Sequence, residues 1–166
     1  IIAGSGELHM EILINDLLTY SRVTTKANPF AEVSLNNILN QVRSDLEVRL
    51  EQTGGQVIIG DLPNIEADPT QMHQLFQNLV SNALKFHKTN IKPIVTISSH
   101  IIESDQGKIS EISVTDNGIG FDQKYADRIF TIFQRLHGRH EYEGTGIGLA
   151  ICRKIVDRHE GSITVR

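Results

Sequence analysis

The stretch "NLVSNALKF", residues 78–86, places two asparagines one helical turn apart in an otherwise apolar run. Residues four apart share a helix face, so Asn78 and Asn82 project to one side, and Lys85, three residues on, shares roughly that face. Asn is a mediocre helix former, so the pair needs an account. Two side chains capping a nearby loop are one. The other is a pair of hard oxygen ligands for Mg²⁺, which takes few protein oxygens and completes its shell with phosphates and waters. Lys85 then meets a phosphate as a point charge.

The flanks of this stretch read as regular structure. Upstream, Ile65–Ala67 is a short strand, Asp68 an N-cap and Pro69 a first-turn residue. The helix that follows carries Met72, Leu75, Phe76, Leu79, Leu84 and Phe86 as its apolar set. Downstream, "PIVTISSHII" and "KISEISVTD" alternate as strands do, with "ESDQG" as the turn of an antiparallel hairpin. Nearer the start, Met10, Leu13, Ile14, Leu17 and Leu18 give one helical face, covered by a partner helix or by the rest of the chain. Ser34 N-caps a helix over Leu35, Ile38, Leu39, Val42, Leu46 and Leu50, which "TGG" at 53–55 ends before the strand "QVIIG". A last helix over about 146–159 uses Leu149, Ile151, Ile155 and Val156, and "SITV" reads as a closing strand. Helices on one face of a mainly antiparallel sheet make an α+β sandwich.

Two glycine clusters bear on the phosphate question. In "DNGIGF", residues 116–121, Asp116 stands where a strand ends, and its carboxylate can accept a hydrogen bond from an exocyclic amine, as adenine offers. In "GTGIGLA", residues 144–150, Gly144, Gly146 and Gly148 run into a helix, whose first amides suit an anion. A tight turn with close helix packing explains the same glycines. A Walker loop is excluded because Leu149 and Ala150, not Lys and Ser or Thr, follow the last glycine. A dinucleotide fingerprint is excluded because the preceding "GRHEYEG" is polar and turn-like, not a strand.

The 166 residues suit one domain with a short appendage. A net charge of −4 argues against a nucleic-acid partner. The single cysteine, Cys152, excludes an internal disulfide and fits a reducing, cytoplasmic compartment. Residues 1–9, with "GSG" and "HM", read as an appended, cloning-derived segment.

In their order, "NLVSNALKF", "DNGIGF", "RIFTIFQRL" and "GTGIGLAICRKIVDRHEGSI" resemble the N, first glycine, F and second glycine boxes of the sensor histidine kinase catalytic domain. That domain shares the Bergerat nucleotide-binding fold with gyrase and MutL. The resemblance covers about residues 28–166, is greatest to the phytochrome-linked kinases, and extends to "INDLLTYSRV", within residues 10–27, which is similar to the end of the second helix of a dimerisation hairpin. It implies ATP and Mg²⁺ as cofactors. Asn82 would ligand the metal, with Asn78 assisting directly or through water, and Lys85 beside the phosphates. Asp116 would hold the adenine amino group, with Gly118, Ile119, Gly120 and Phe121 shaping the pocket wall. Phe130 and Phe133 would anchor a lid over about 122–143, Phe133 counting also among the nucleotide contacts. Gly144, Thr145, Gly146, Gly148 and Leu149 would serve the triphosphate.

The gyrase-like members of this class place a water-activating Glu one turn before the metal Asn. Here that position is Asn78, which is no general base, so phosphoryl transfer to another acceptor is favoured over hydrolysis. The family's acceptor histidine precedes Glu or Asp, a basic residue and proline. None of the seven histidines has that context, so the resemblance implies an acceptor outside this chain and a chain that binds ATP without phosphorylating itself. The family usually continues past "GSITVR" into another strand, so the resemblance implies either a shortened C-terminal end or a replacement for that strand. Implied partners are a response regulator receiver domain, a second copy through the dimerisation helices, and an N-terminal sensor domain. A gyrase-like or MutL-like ATPase and a non-catalytic nucleotide-binding or dimerisation module are the alternatives.

Overall fold

The computed structural model describes residues 3–105, 107–133 and 145–166. In chain order its elements are α1 (Ala3–Thr25), β1 (Ala31–Ser34), α2 (Leu35–Asp45), α3 (Glu47–Thr53), β2 (Gln56–Ile59), β3 (Asn64–Ala67), α4 (Pro69–Lys85), β4 (Ile94–Ser104), β5 (Gly107–Asp116) and α5 (Gly148–Arg158), with a 3₁₀ turn at Gln123–Tyr125. They divide into two compact units, Asn28–Gly120, and Ile1–Ala27 together with Phe121–Arg166.

The Asn28–Gly120 unit holds two small sheets. β1 and β3 pair antiparallel, with Val33 opposite Ile65. β4 and β5 form the expected antiparallel hairpin, Val95 opposite Asp116, and β2 joins β4 in parallel. α2 packs on α4, and α4 on β4 and β5. Leu35, Leu39, Val42, Val80, Leu84, Val95 and Ile97 are fully buried, each worth about 1.5–3 kcal/mol over an exposed position.

Caps fix both helices of this core. The Ser34 hydroxyl accepts from Asn37 N at 3.4 Å and starts α2. The Asp68 carboxylate accepts from Thr70 N at 3.0 Å and Gln71 N at 3.2 Å, and Pro69 stands in the first turn of α4, as expected. Asp68 is wholly buried. It also accepts from Asn28 N at 2.8 Å and Asn28 Nδ2 at 3.4 Å, which ties the start of the unit to the helix forty residues on. Buried charges need such partners. Asp68→Ala is therefore expected to cost roughly 2–4 kcal/mol, read as a lower urea midpoint at unchanged slope.

Two sequence expectations are corrected. The helix expected through Leu50 is two helices, broken at Leu46 (φ −96°, ψ 8°). At the break Leu46 remains buried while the Asp45 carboxylate meets His73 Nε2 of α4 at 2.7 Å, a tertiary tie that periodicity does not encode. Nor is "SITV" a strand: residues 161–166 have no regular structure. The carbonyls of Ile163 and Val165 accept from the side chains of Arg153 (3.2 Å) and Gln123 (3.1 Å) in place of a neighbouring strand.

In the other unit α1 packs against α5. α1 begins at Ala3, within the segment expected to be appended. Val23 is buried, while Met10, Ile14, Leu17 and Leu18 are exposed. Lys154 of α5 donates to the Tyr20 carbonyl at 2.9 Å, with its ammonium 4.2 Å from the Tyr20 ring centroid. Asp122 caps the 3₁₀ turn, and hydrogen bonds from the Lys124 side chain and backbone hold its carboxyl below the usual range. Among the described residues, no helix is long and apolar enough to cross a membrane.

Candidate functional site

α4 carries Asn78, Asn82 and Lys85 in its last two turns, all half-buried. Asn78 Oδ1 accepts from Gln74 Nε2 at 3.0 Å. No described residue hydrogen-bonds to the Asn82 side chain. Lys85 Nζ lies 4.5 Å from the centroid of the Phe86 ring, at the helix C-cap.

The end of α4 meets the end of β5 through the backbone. Ile119 N donates to the Phe86 carbonyl at 2.9 Å. For this the chain after Asp116 must pass against the helix terminus, and Gly118 is what permits it. A Cβ there would lie 2.4 Å from Phe86 O and 2.6 Å from Asp116 Oδ1. Gly120 differs: its φ of +66° favours glycine, yet the space around it is open. Asp116 is exposed; its Oδ1 accepts from Gly118 N at 2.7 Å, while Oδ2 has no donor among the described residues. A carboxylate with one oxygen fixed and one open can receive an amine from a defined direction.

The F and second glycine boxes meet in the other unit. Phe133 N donates to the Gly146 carbonyl at 3.0 Å, with Phe133 at φ +63° and Gly146 at φ +75°. Phe130 is buried with the Arg153 guanidinium 4.7 Å from its ring centroid, whereas Phe133 is 57% exposed. Ile147 is buried and precedes the first turn of α5, which starts without a side-chain cap. Gly148 and Leu149 form that first turn, half-buried. The Thr145 hydroxyl donates to Asp16 Oδ2 of α1. Gly144 and residues 134–143 of the expected lid lie outside the described residues; Phe121 and residues 122–133 are described, with the 3₁₀ turn among them.

Three contributors escape a motif reading. Asn28 reaches Asp68 from outside any box, and Asp16 reaches Thr145 from 129 residues away. Asn117 lies inside "DNGIGF", yet its amide binds backbone on both sides of Pro93. An Asn-Gly pair after a strand signals a turn but not which backbone the amide will hold.

The family described as "Histidine kinase-, DNA gyrase B-, and HSP90-like ATPase" matches residues 67–166, from just before the N-cap of α4 to the last residue. This chain belongs to that ATPase family. Among relatives, cyanobacterial phytochrome A of Nostoc sp. is 44% identical over 163 residues, 98% of this chain. This chain spans about a fifth of that relative, 21% of its length. Full-length ShkA in complex with AMPPNP superposes with a TM-score of 0.75 at 28% identity, over 94% of this ATPase-family chain and 32% of ShkA. The histidine kinase ThkA in complex with the response regulator TrrA gives 0.67 at 24% identity, over 95% and 43%, and speaks for the fold. The Bergerat expectation is thus met, with helices and a mixed, open sheet as in histidine kinase catalytic domains.

Proposed function

We propose that this chain is the ATP-binding catalytic domain of a two-component sensor histidine kinase, and that the parent protein moves the γ-phosphoryl group of ATP to a histidine on a dimerisation helix. The observation that carries this reading is α4, with the Asn82 side chain hydrogen-bonded to no described residue and an amide, Asn78, one turn before it. Asn82 fits a Mg²⁺ ligand, and Asn78, already accepting from Gln74, fits an assisting role through water. Bound Mg²⁺ would neutralise phosphate charge. The chain's own work is positioning: Asp116 with Gly118, Ile119, Gly120 and Phe121 for the base, Lys85 for a phosphate, and Phe133, Gly144, Thr145, Gly146, Gly148 and Leu149 for the triphosphate. In the transfer the bond from the γ-phosphorus to the bridging oxygen breaks, a phosphorus–nitrogen bond to imidazole forms, and ADP departs.

Thr145 has to exchange Asp16 for nucleotide in this scheme. The apolar stripe Met10, Ile14, Leu17 and Leu18 of α1 suits the helix of a second copy. A response regulator, as the ThkA complex contains, engaged through its receiver domain, and an N-terminal sensor domain are the remaining partners. Site chemistry favours a cytoplasmic place, where ATP is abundant.

No carboxylate replaces Asn78, and a general base is worth about 10²–10⁴-fold. Supplied with a separate acceptor helix and Mg-ATP, the chain is expected to phosphorylate that helix at least about 100-fold faster than it releases phosphate to water. Radiolabel transfer and phosphate release, followed together, measure the ratio. Hydrolysis at the faster rate would return the assignment to a gyrase-like ATPase.

A further inference from the structure

We infer that Asn117 is a positioning residue for base selection, holding Asp116 in the orientation that distinguishes adenine from other purines. The inference deepens the reading of Asp116 as the adenine acceptor and rests on it.

The antiparallel register places Val95 opposite Asp116, so residue 117 is the next that would pair, opposite Ile94. The backbone does not continue the ladder. Asn117 uses its side chain instead: Oδ1 accepts from Ile94 N at 2.9 Å and Nδ2 donates to the Lys92 carbonyl at 3.1 Å. A carboxamide presents the same donor and acceptor as a peptide group, so it can extend a sheet edge by one rung. Pro93, between the two partners, has no N–H, and its carbonyl already accepts from Gln56 N of β2 at 2.9 Å. The backbone of residues 117–119 is thereby released to turn away from β4.

That release is what shapes the site. Gly118 N turns back onto Asp116 Oδ1 at 2.7 Å, and Ile119 N reaches Phe86 O at 2.9 Å. Asp116 Oδ1 is fixed only while the turn after it is fixed, and that turn is held on one side by α4 and on the other by the Asn117 amide. Without the amide, residue 117 either rejoins the ladder or swings free. Both outcomes move Gly118 N and let the Asp116 carboxylate rotate. Asn117 is itself exposed, so this role is one of orientation more than of core stability.

The test compares ATP with inosine triphosphate, which carries an oxo group in place of the adenine 6-amino group, by calorimetry on the whole chain with Mg²⁺. Asn117→Ala is expected to weaken ATP binding about tenfold, the loss of one well-oriented contact, and to leave inosine triphosphate affinity nearly unchanged, so the ratio of the two falls. Asn117→Asp keeps the acceptor for Ile94 N, loses the donor to Lys92 O, and is expected between the two. Equal weakening of both nucleotides by Asn117→Ala would make the amide merely structural and overturn the inference. So would an unchanged ratio in Asn117→Ala alongside a collapsed ratio in Asp116→Asn. A ratio unchanged in Asp116→Asn itself would remove the adenine role of Asp116, and the inference with it, and is read separately from the other outcomes.

Discussion

Asn82→Ala is expected to lose about 10–100-fold in Mg²⁺-dependent ATP affinity while the protein melts no lower than wild type. The binding loss follows from removing a polar group that meets a charged ligand, about 1.5–3 kcal/mol. Unchanged stability follows from the structure: no described residue hydrogen-bonds to the Asn82 side chain, so nothing in the fold is left unpaired. Alanine is also the better helix former by several tenths of a kcal/mol. The separation of the two effects is the informative part. Calorimetry with Mg²⁺ and with EDTA checks it: the variant should bind ATP in EDTA as wild type does and gain little when the metal is added. Metal dependence retained in full by Asn82→Ala would move the ligand role to Asn78 or elsewhere.

Local signals were legible where one stretch of chain decides the outcome. Ser34 and Asp68 cap their helices by contacts within three residues, Pro69 takes the first turn of α4, and each stands where the sequence places it. The β4–β5 hairpin follows from alternation and a polar turn. The two asparagines share α4 because the helical period requires it. What escaped depends on partners far along the chain. The break at Leu46 goes with Asp45 finding His73, and the irregular path of residues 161–166 with carbonyls taken by Arg153 and Gln123. Asp68 was legible as a cap, but its second duty toward Asn28 was not. The motifs located the candidate site; they did not show that Asn117 rather than a further strand residue closes the sheet edge beside it.

Gly118→Ala is expected to damage stability and nucleotide binding together. The added Cβ would sit 2.4 Å from the Phe86 carbonyl oxygen and 2.6 Å from Asp116 Oδ1. The first obstacle is backbone at the C-cap of α4, which cannot swing aside as a long side chain does. Either that end of α4 shifts or the turn opens and gives up the Ile119–Phe86 and Gly118–Asp116 hydrogen bonds. Overpacking of this kind costs about 1–3 kcal/mol, a fall of roughly 2–12 °C in melting temperature for a chain of this size. On the proposed role of Asp116, adenine recognition is expected to fall by the same movement, because Asp116 and the turn are displaced as one. Gly120→Ala is the matched control. Its Cβ meets nothing within 4 Å, so it bears the left-handed φ alone, about 1–2 kcal/mol, with Asp116 undisturbed. Thermal melting and ATP calorimetry on the pair should therefore show comparable destabilisation but unequal binding, with ATP affinity surviving in Gly120→Ala and failing in Gly118→Ala. Equal binding by the two variants would mean that the close approach to Phe86 serves packing and not the orientation of Asp116.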